Sequence, residues 1–203
     1  VTGVGFRPDF VLHFGDDDGT NAEFMLGAMD GSGNQWVIRN LSEDAQATSD
    51  TYRIQRTDSC LINISGTGTI SQRATFSSMD SDGFSVNNVT ADFLRSYTSL
   101  CIRGGQWKVG SFNKSTGAAP GSQAVTGGGF TPLGLLLASF QTTTVSTAQA
   151  QARLGLGATA GGTNERCLAA QDEDAVATTN ADSVFKTDKV FAVVDNATPS
   201  VNA

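Results

Sequence analysis

Apolar and polar side chains alternate, or apolar ones follow one another, in short runs that recur about every ten residues. Gly, Asp, Asn or Ser bounds each run. A period of two places alternate side chains on opposite faces of an extended chain, so the pattern reads as strands joined by tight turns. It predicts strands at 9–14, 24–29, 35–39, 51–57, 59–64, 73–79, 83–89, 97–102 and 106–112. A second series follows at 133–140, 153–158, 165–170, 183–187 and 189–194. Asp82-Gly83 in "MDSDGF" marks a hairpin, because Asp-Gly tolerates the positive φ of a two-residue turn. "TAQAQARLGL" (147–156) is the one stretch with helix-like text, and its glycines and its place opposite strand text weaken that reading. An all-β, antiparallel architecture follows.

The pattern is written twice. "VTGVGFRP" at Val1 returns as "VTGGGFTP" at Val125, an offset of 124. At an offset of 130, residues 34–64 lie over 164–194 without gaps. Eight of 31 positions are identical, among them Glu43/Glu173, Asp44/Asp174, Ala45/Ala175, Thr57/Thr187 and Asp58/Asp188. Same-order identities at a fixed period are the signature of a tandem repeat. The expected organisation is a complete β-repeat at 1–112, a linker at 113–124, and an incomplete second repeat at 125–203 in a polypeptide that continues. The expected fold is an antiparallel β-sandwich, jelly-roll-like, built from two homologous repeats. The recurring octet reads as a device that starts the fold: Gly reaches angles closed to other residues, Pro fixes φ, and Phe plugs the end of the sandwich. The edge near 183–194 is expected to be paired, by residues beyond Ala203 or by a neighbouring chain.

Composition narrows the partners. A net charge of −7, with 13 basic residues scattered without a run, argues against binding nucleic acid or an anionic membrane, which needs a basic patch. No apolar stretch reaches the roughly 18 residues of a membrane-spanning helix. Cys60 lies opposite Val190 and Cys167 opposite Val37. With Cys101 they read as free, buried thiols in aliphatic niches, with no disulfide framework and no metal spacing.

Candidate chemistry is sparse. "GDDDGTNAE" (15–23) clusters carboxylates as a calcium loop does, but it misses the EF-hand spacing, and its counterpart "QTTTVSTAQ" carries no acid. It reads as a solvated acidic loop. Glu43-Asp44 and Glu173-Asp174 are adjacent pairs whose side chains diverge on a strand, so they suit turn capping better than shared acid–base work. His13 is the sole histidine, and its twin is Leu137; neither a catalytic triad nor a zinc site can be assembled from it. The sequence therefore predicts no catalytic residue, no metal and no cofactor. Trp36 and Trp107 are the remaining handles, since an exposed indole stacks on a sugar ring or anchors a protein interface. The competing reading is partial burial at a sheet edge.

"VTGVGFRPDFVLHF", "SEDAQATS" and "SMDSDGFSV", followed by "AVTGGGFTPLGLLL" and "DEDAVATT", resemble a duplicated domain of tailed-bacteriophage virion proteins. Nearly the whole chain is covered, and the motifs are structural. The second repeat departs from the pattern, because its "DxDGF" hairpin would lie past the last residue. The resemblance implies a non-enzymatic structural protein of the virion, in a tail, fibre or capsid-decorating position. Its implied partners are other virion proteins and further copies of itself. A carbohydrate-binding adhesin, the receptor-binding module of a fibre or cell surface, is the alternative, with cell-surface glycan as partner. A glycan-degrading depolymerase is a third class, lacking a recurring pair of carboxylates across a cleft.

Overall fold

The computed structural model describes residues 1–15, 21–90, 96–114, 123–161, 164–178, 180–194 and 201–202. The acidic loop 16–20 and most of the expected linker lie outside them.

The protein is all-β, with several antiparallel sheets. Strands β1 (Phe10–Gly15), β2 (Ala22–Asp30), β3 (Gln35–Ser42) and β4 (Thr51–Arg56) run as a meander. Strands β5 (Leu61–Ile64), β6 (Ile70–Asp80) and β7 (Gly83–Thr90) form a separate three-stranded sheet, and β8 (Tyr97–Ile102) returns to lie beside β1. Strand β9 (Leu135–Ser139) is followed by β10 (Gln149–Ala150), which joins the first sheet; β9, β11 (Ala152–Thr159), β12 (Glu165–Asp172) and β13 (Ala181–Lys186) form the second meander, and β14 (Val193–Val194) pairs with β15 (Val201–Asn202). The first large sheet has the order β10-β4-β3-β2-β1-β8, and the second β13-β12-β11-β9.

Alternation along the strands gives the six-stranded sheet two apolar faces. Val11, Met25, Met29, Val37, Leu41 and Ile54 point one way and join Cys60, Ile62, Ile64, Ala74, Met79 and Phe84 of the three-stranded sheet and its entry in one buried cluster. Leu12, Leu26, Ala28 and Ile38 point the other way. They meet Phe140, Ala138, Leu154 and Leu156 of the second meander. A third cluster, Cys167, Ala169, Ala192 and Val194, lies on the far face of that meander. Apolar burial at roughly 25 cal/mol per Å² is the main force holding such layers together.

Strand pairing follows the sequence offsets. Ala22 pairs with Ser42 in β2–β3, and Ala152 with Asp172 in β11–β12, each 130 residues later. Val37 pairs with Arg56, and Cys167 with Lys186. Between the first two strands of each meander, Gly15 pairs with Met25 and Ser139 with Gly155, so the first partner advances by 124 and the second by 130. Backbone angles match as well: Ala45 and Ala175 both adopt φ 59°, and Gly3, Gly5, Gly127 and Gly129 all have φ between 79° and 92°.

Four expectations are corrected. Residues 106–112 form no strand and have no ladder partner. The text at 147–156 is neither helix nor one strand. Gln151, at φ 69°, turns the chain so that β10 extends the first large sheet while β11 enters the second. The strand expected at 189–194 is limited to Val193–Val194. Its partner, Val201–Asn202, lies before Ala203 rather than beyond it, and the outer edge of β13 has no strand beside it among the described residues. Phe6 is only half-buried. The octet's work is done instead by Gly3 and Gly5, whose N–H groups donate to the Asp82 carboxylate at 3.0 and 2.5 Å. Successive amides converging on one anion need the positive φ that glycine supplies.

Candidate binding surface

Asp30 ends β2 buried, 1% exposed, and organises the surrounding turn. Its carboxylate accepts from the Ser32 and Asn34 amides at 2.9 and 3.1 Å and from Asn34 Nδ2 at 2.8 Å. It also accepts the Val109 amide at 2.8 Å. A buried carboxylate is tolerable only when it is so satisfied. These bonds fix the segment after β8 against the β2–β3 turn, although 79 residues separate Asp30 from Val109.

The same segment carries Trp107. Gly104 and Gly105 take positive φ and reverse the chain; the Gly104 amide donates to Asp9 Oδ2 at 2.7 Å. Trp107 then stacks on Phe10 with ring centroids 4.8 Å apart and an interplanar angle of 19°, while its Nε1 donates to the Gly104 carbonyl at 2.7 Å. The indole remains 40% exposed. Trp36 is half-buried on β3 and packs against the second cluster, beside Ala28 of β2. An open depression of about 250 Å³ lies between the β2–β3 turn and this segment, lined by Gly33, Asn34, Gln35, Thr57, Val109, Gly110 and Ser111. Its lining is amide, hydroxyl and backbone. Such a surface offers an aromatic platform and neutral hydrogen-bonding groups, but no pair of carboxylates for acid–base chemistry.

The other sequence candidates fall elsewhere. His13 is fully buried; its Nδ1 lies 2.9 Å from Ser99 Oγ, and its ring meets Phe84 edge-on at 5.3 Å. Burial lowers its pKa to about 4, so at neutral pH it is an uncharged and weak base. No carboxylate bonds its other ring nitrogen among the described residues, so the pair is a core hydrogen bond rather than a catalytic dyad. Among the described residues no three His, Cys, Asp or Glu side chains come together to hold a metal.

Of the two Glu-Asp pairs, Glu173-Asp174 takes part in joining the two meanders, while Glu43 accepts from Gln46 and the Asp44 amide donates to Asn21. The Thr51 amide donates to Asp174 Oδ1 at 2.9 Å, and Ser49 Oγ to the Glu173 carbonyl at 2.5 Å. Ser42 Oγ donates to Asp172 Oδ2 at 2.6 Å, a bond between positions 130 apart. On β4, Arg53 donates to the Ala150 and Gln151 carbonyls, and burial beside Arg153 lowers its pKa to about 10. Sequence reasoning also misses the ion pair of Arg39 with Glu23, both 1% exposed on neighbouring strands. The cysteines are free. Cys60 and Cys167 are buried and Cys101 half-buried, and burial pushes the Cys60 thiol up to about 12.

Comparisons with protein families, with curated proteins and with solved structures find no match.

Proposed function

We propose that this chain is a non-enzymatic structural protein of a bacteriophage virion, acting through assembly contacts in a tail, fibre or capsid-decorating position. The fold proposed with it is an antiparallel β-sandwich built from two tandem homologous repeats, spanning 1–112 and 125–203 on either side of a linker. The meander order of the strands favours a plain sandwich over the jelly roll. The observation that carries the reading is the strand register, which repeats at 124 and 130 just as the motif text does. Its polar groups are spent on structure: Asp30, His13, Asp172 and Asp174 all hold one segment of the chain to another. A chain built this way acts through its surface, and its location is the particle. Electron microscopy of purified particles with an antibody raised against the chain tests this. Periodic or axial labelling is expected, and unlabelled particles would overturn the proposal.

Exposed Trp107, stacked on Phe10 near a neutral polar depression, favours a second reading as a carbohydrate-binding adhesin. A glycan array separates the two. Binding lost in Trp107→Ala supports the adhesin, and a blank array supports pure assembly. Release of reducing sugar from any glycan would overturn both.

A further inference from the structure

Among the described residues the first large sheet ends in β10 and β8 and the second in β13 and β9, and of these β8 and β9 are the two that the repeat relates. β9 stands in the second meander where β1 stands in the first, and the outer edge of β1 is covered by β8, with Phe10 opposite Ile102 and Gly15 opposite Tyr97. An outer edge of this kind therefore accepts a β8-type strand in this very chain.

The β9 edge has the character of a contact. No charged residue stands between Lys114 and Arg153, a stretch that contains all of β9. Leu133, Leu135 and Leu136 are 91%, 47% and 57% exposed along it. Exposed edges are usually blunted with charge or Pro, because a row of unpaired N–H and C=O groups recruits another strand. On β8, Leu100 is 51% exposed, so the free edge there also carries an apolar side chain. The second meander lacks what anchors the tail of β8 in the first. Asp30, which binds the Val109 amide, has Ala160 as its twin; Phe10, which carries Trp107, has Gly134; and Asp9, which binds Gly104, has Leu133. The β9 edge therefore suits a strand whose own tail is held elsewhere.

We propose that β8 of one copy pairs with β9 of a second copy, so that β8 lies between its own β1 and the neighbour's β9. The interface joins two different edges, so it is head-to-tail and generates rings or open filaments. It deepens the assembly reading and rests on it in taking contact between copies as the mode of action. Like-charged copies (−7 each) repel, and the uncharged edge is where that repulsion is smallest; added salt therefore strengthens the association.

Sedimentation of the full chain from about 1 µM to about 1 mM, the range in which a modest edge contact shows itself, tests this. The expected result is a mass that grows with concentration to three copies or more. Leu136→Lys and Leu100→Lys change exposed side chains, and each variant alone is expected to remain monomeric with an unchanged unfolding midpoint. An equimolar mixture of the two retains one intact β8 edge and one intact β9 edge, and should give a one-to-one dimer and nothing larger. Monomers throughout, or a wild-type dimer that survives either substitution, would overturn the edge pairing. Particle labelling is scored separately, so the assembly reading can stand or fall by itself.

Discussion

The carbonyl oxygen of Cys60 occupies the space that a Cβ on Gly27 would need, and the carbonyl of Val190 does the same to Gly157. The two pairs lie 130 residues apart. Each brings the backbone entering the next strand hard against the second strand of its meander, which only glycine permits. Gly27→Ala and Gly157→Ala should each destabilise by about 3 kcal/mol, the upper range for overpacking, since backbone cannot move as a side chain can. Urea unfolding measures this. Gly110→Ala, with open space and ordinary φ, should stay within about 0.5 kcal/mol.

His13 ties stability to pH. Its folded pKa of about 4 lies below the ordinary 6.5, so between those values the unfolded chain binds a proton that the folded chain refuses. Stability should be full above pH 6.5 and fall by about 1.4 kcal/mol per pH unit down to pH 4. His13→Leu, the residue its twin Leu137 carries, should flatten that slope. A slope unchanged in the variant would assign it to other groups.

Asp82 closes the opening octet onto the β6–β7 hairpin. In Asp82→Ala, the Gly3 and Gly5 amides lose a charged acceptor, a change of about 1–2 kcal/mol at an exposed site. Hydrogen exchange at those two amides should accelerate while exchange within β2 and β3 stays slow.

Asp30→Ala leaves the Val109, Ser32 and Asn34 amides without their acceptor, at a cost of about 3 kcal/mol. Trp107 fluorescence should shift to the red as the segment loosens. Asp30→Asn, which keeps an acceptor oxygen, should recover part of both effects.

Much of this architecture is visible in the residues. Apolar runs place most of the strands, and the repeat offsets of 124 and 130, legible in the text, recur in the strand pairing. The segment 106–112 misleads because "QWKVGSF" alternates like a strand. Trp107 instead finds Phe10, Val109 finds the second cluster, and the Val109 amide finds a carboxylate rather than a ladder. The split at Gln151 is illegible because a single positive φ leaves no mark in composition. Asp30, His13 with Ser99, and Glu23 with Arg39 stay hidden for a shared reason. Each depends on a partner that the fold brings across a sheet or a turn, and local text carries no record of it. Trp36 and Trp107 could be picked out as residues, but which of them is the more exposed could not.

The central claim is that the chain works as a part of a particle. Quantitative mass spectrometry of density-banded particles from a host culture expressing the gene tests it most directly. The account predicts the chain in the particle band at a fixed copy number that survives a salt wash: hundreds for decoration, a few for a fibre. Recovery of the chain only in the soluble fraction would contradict it.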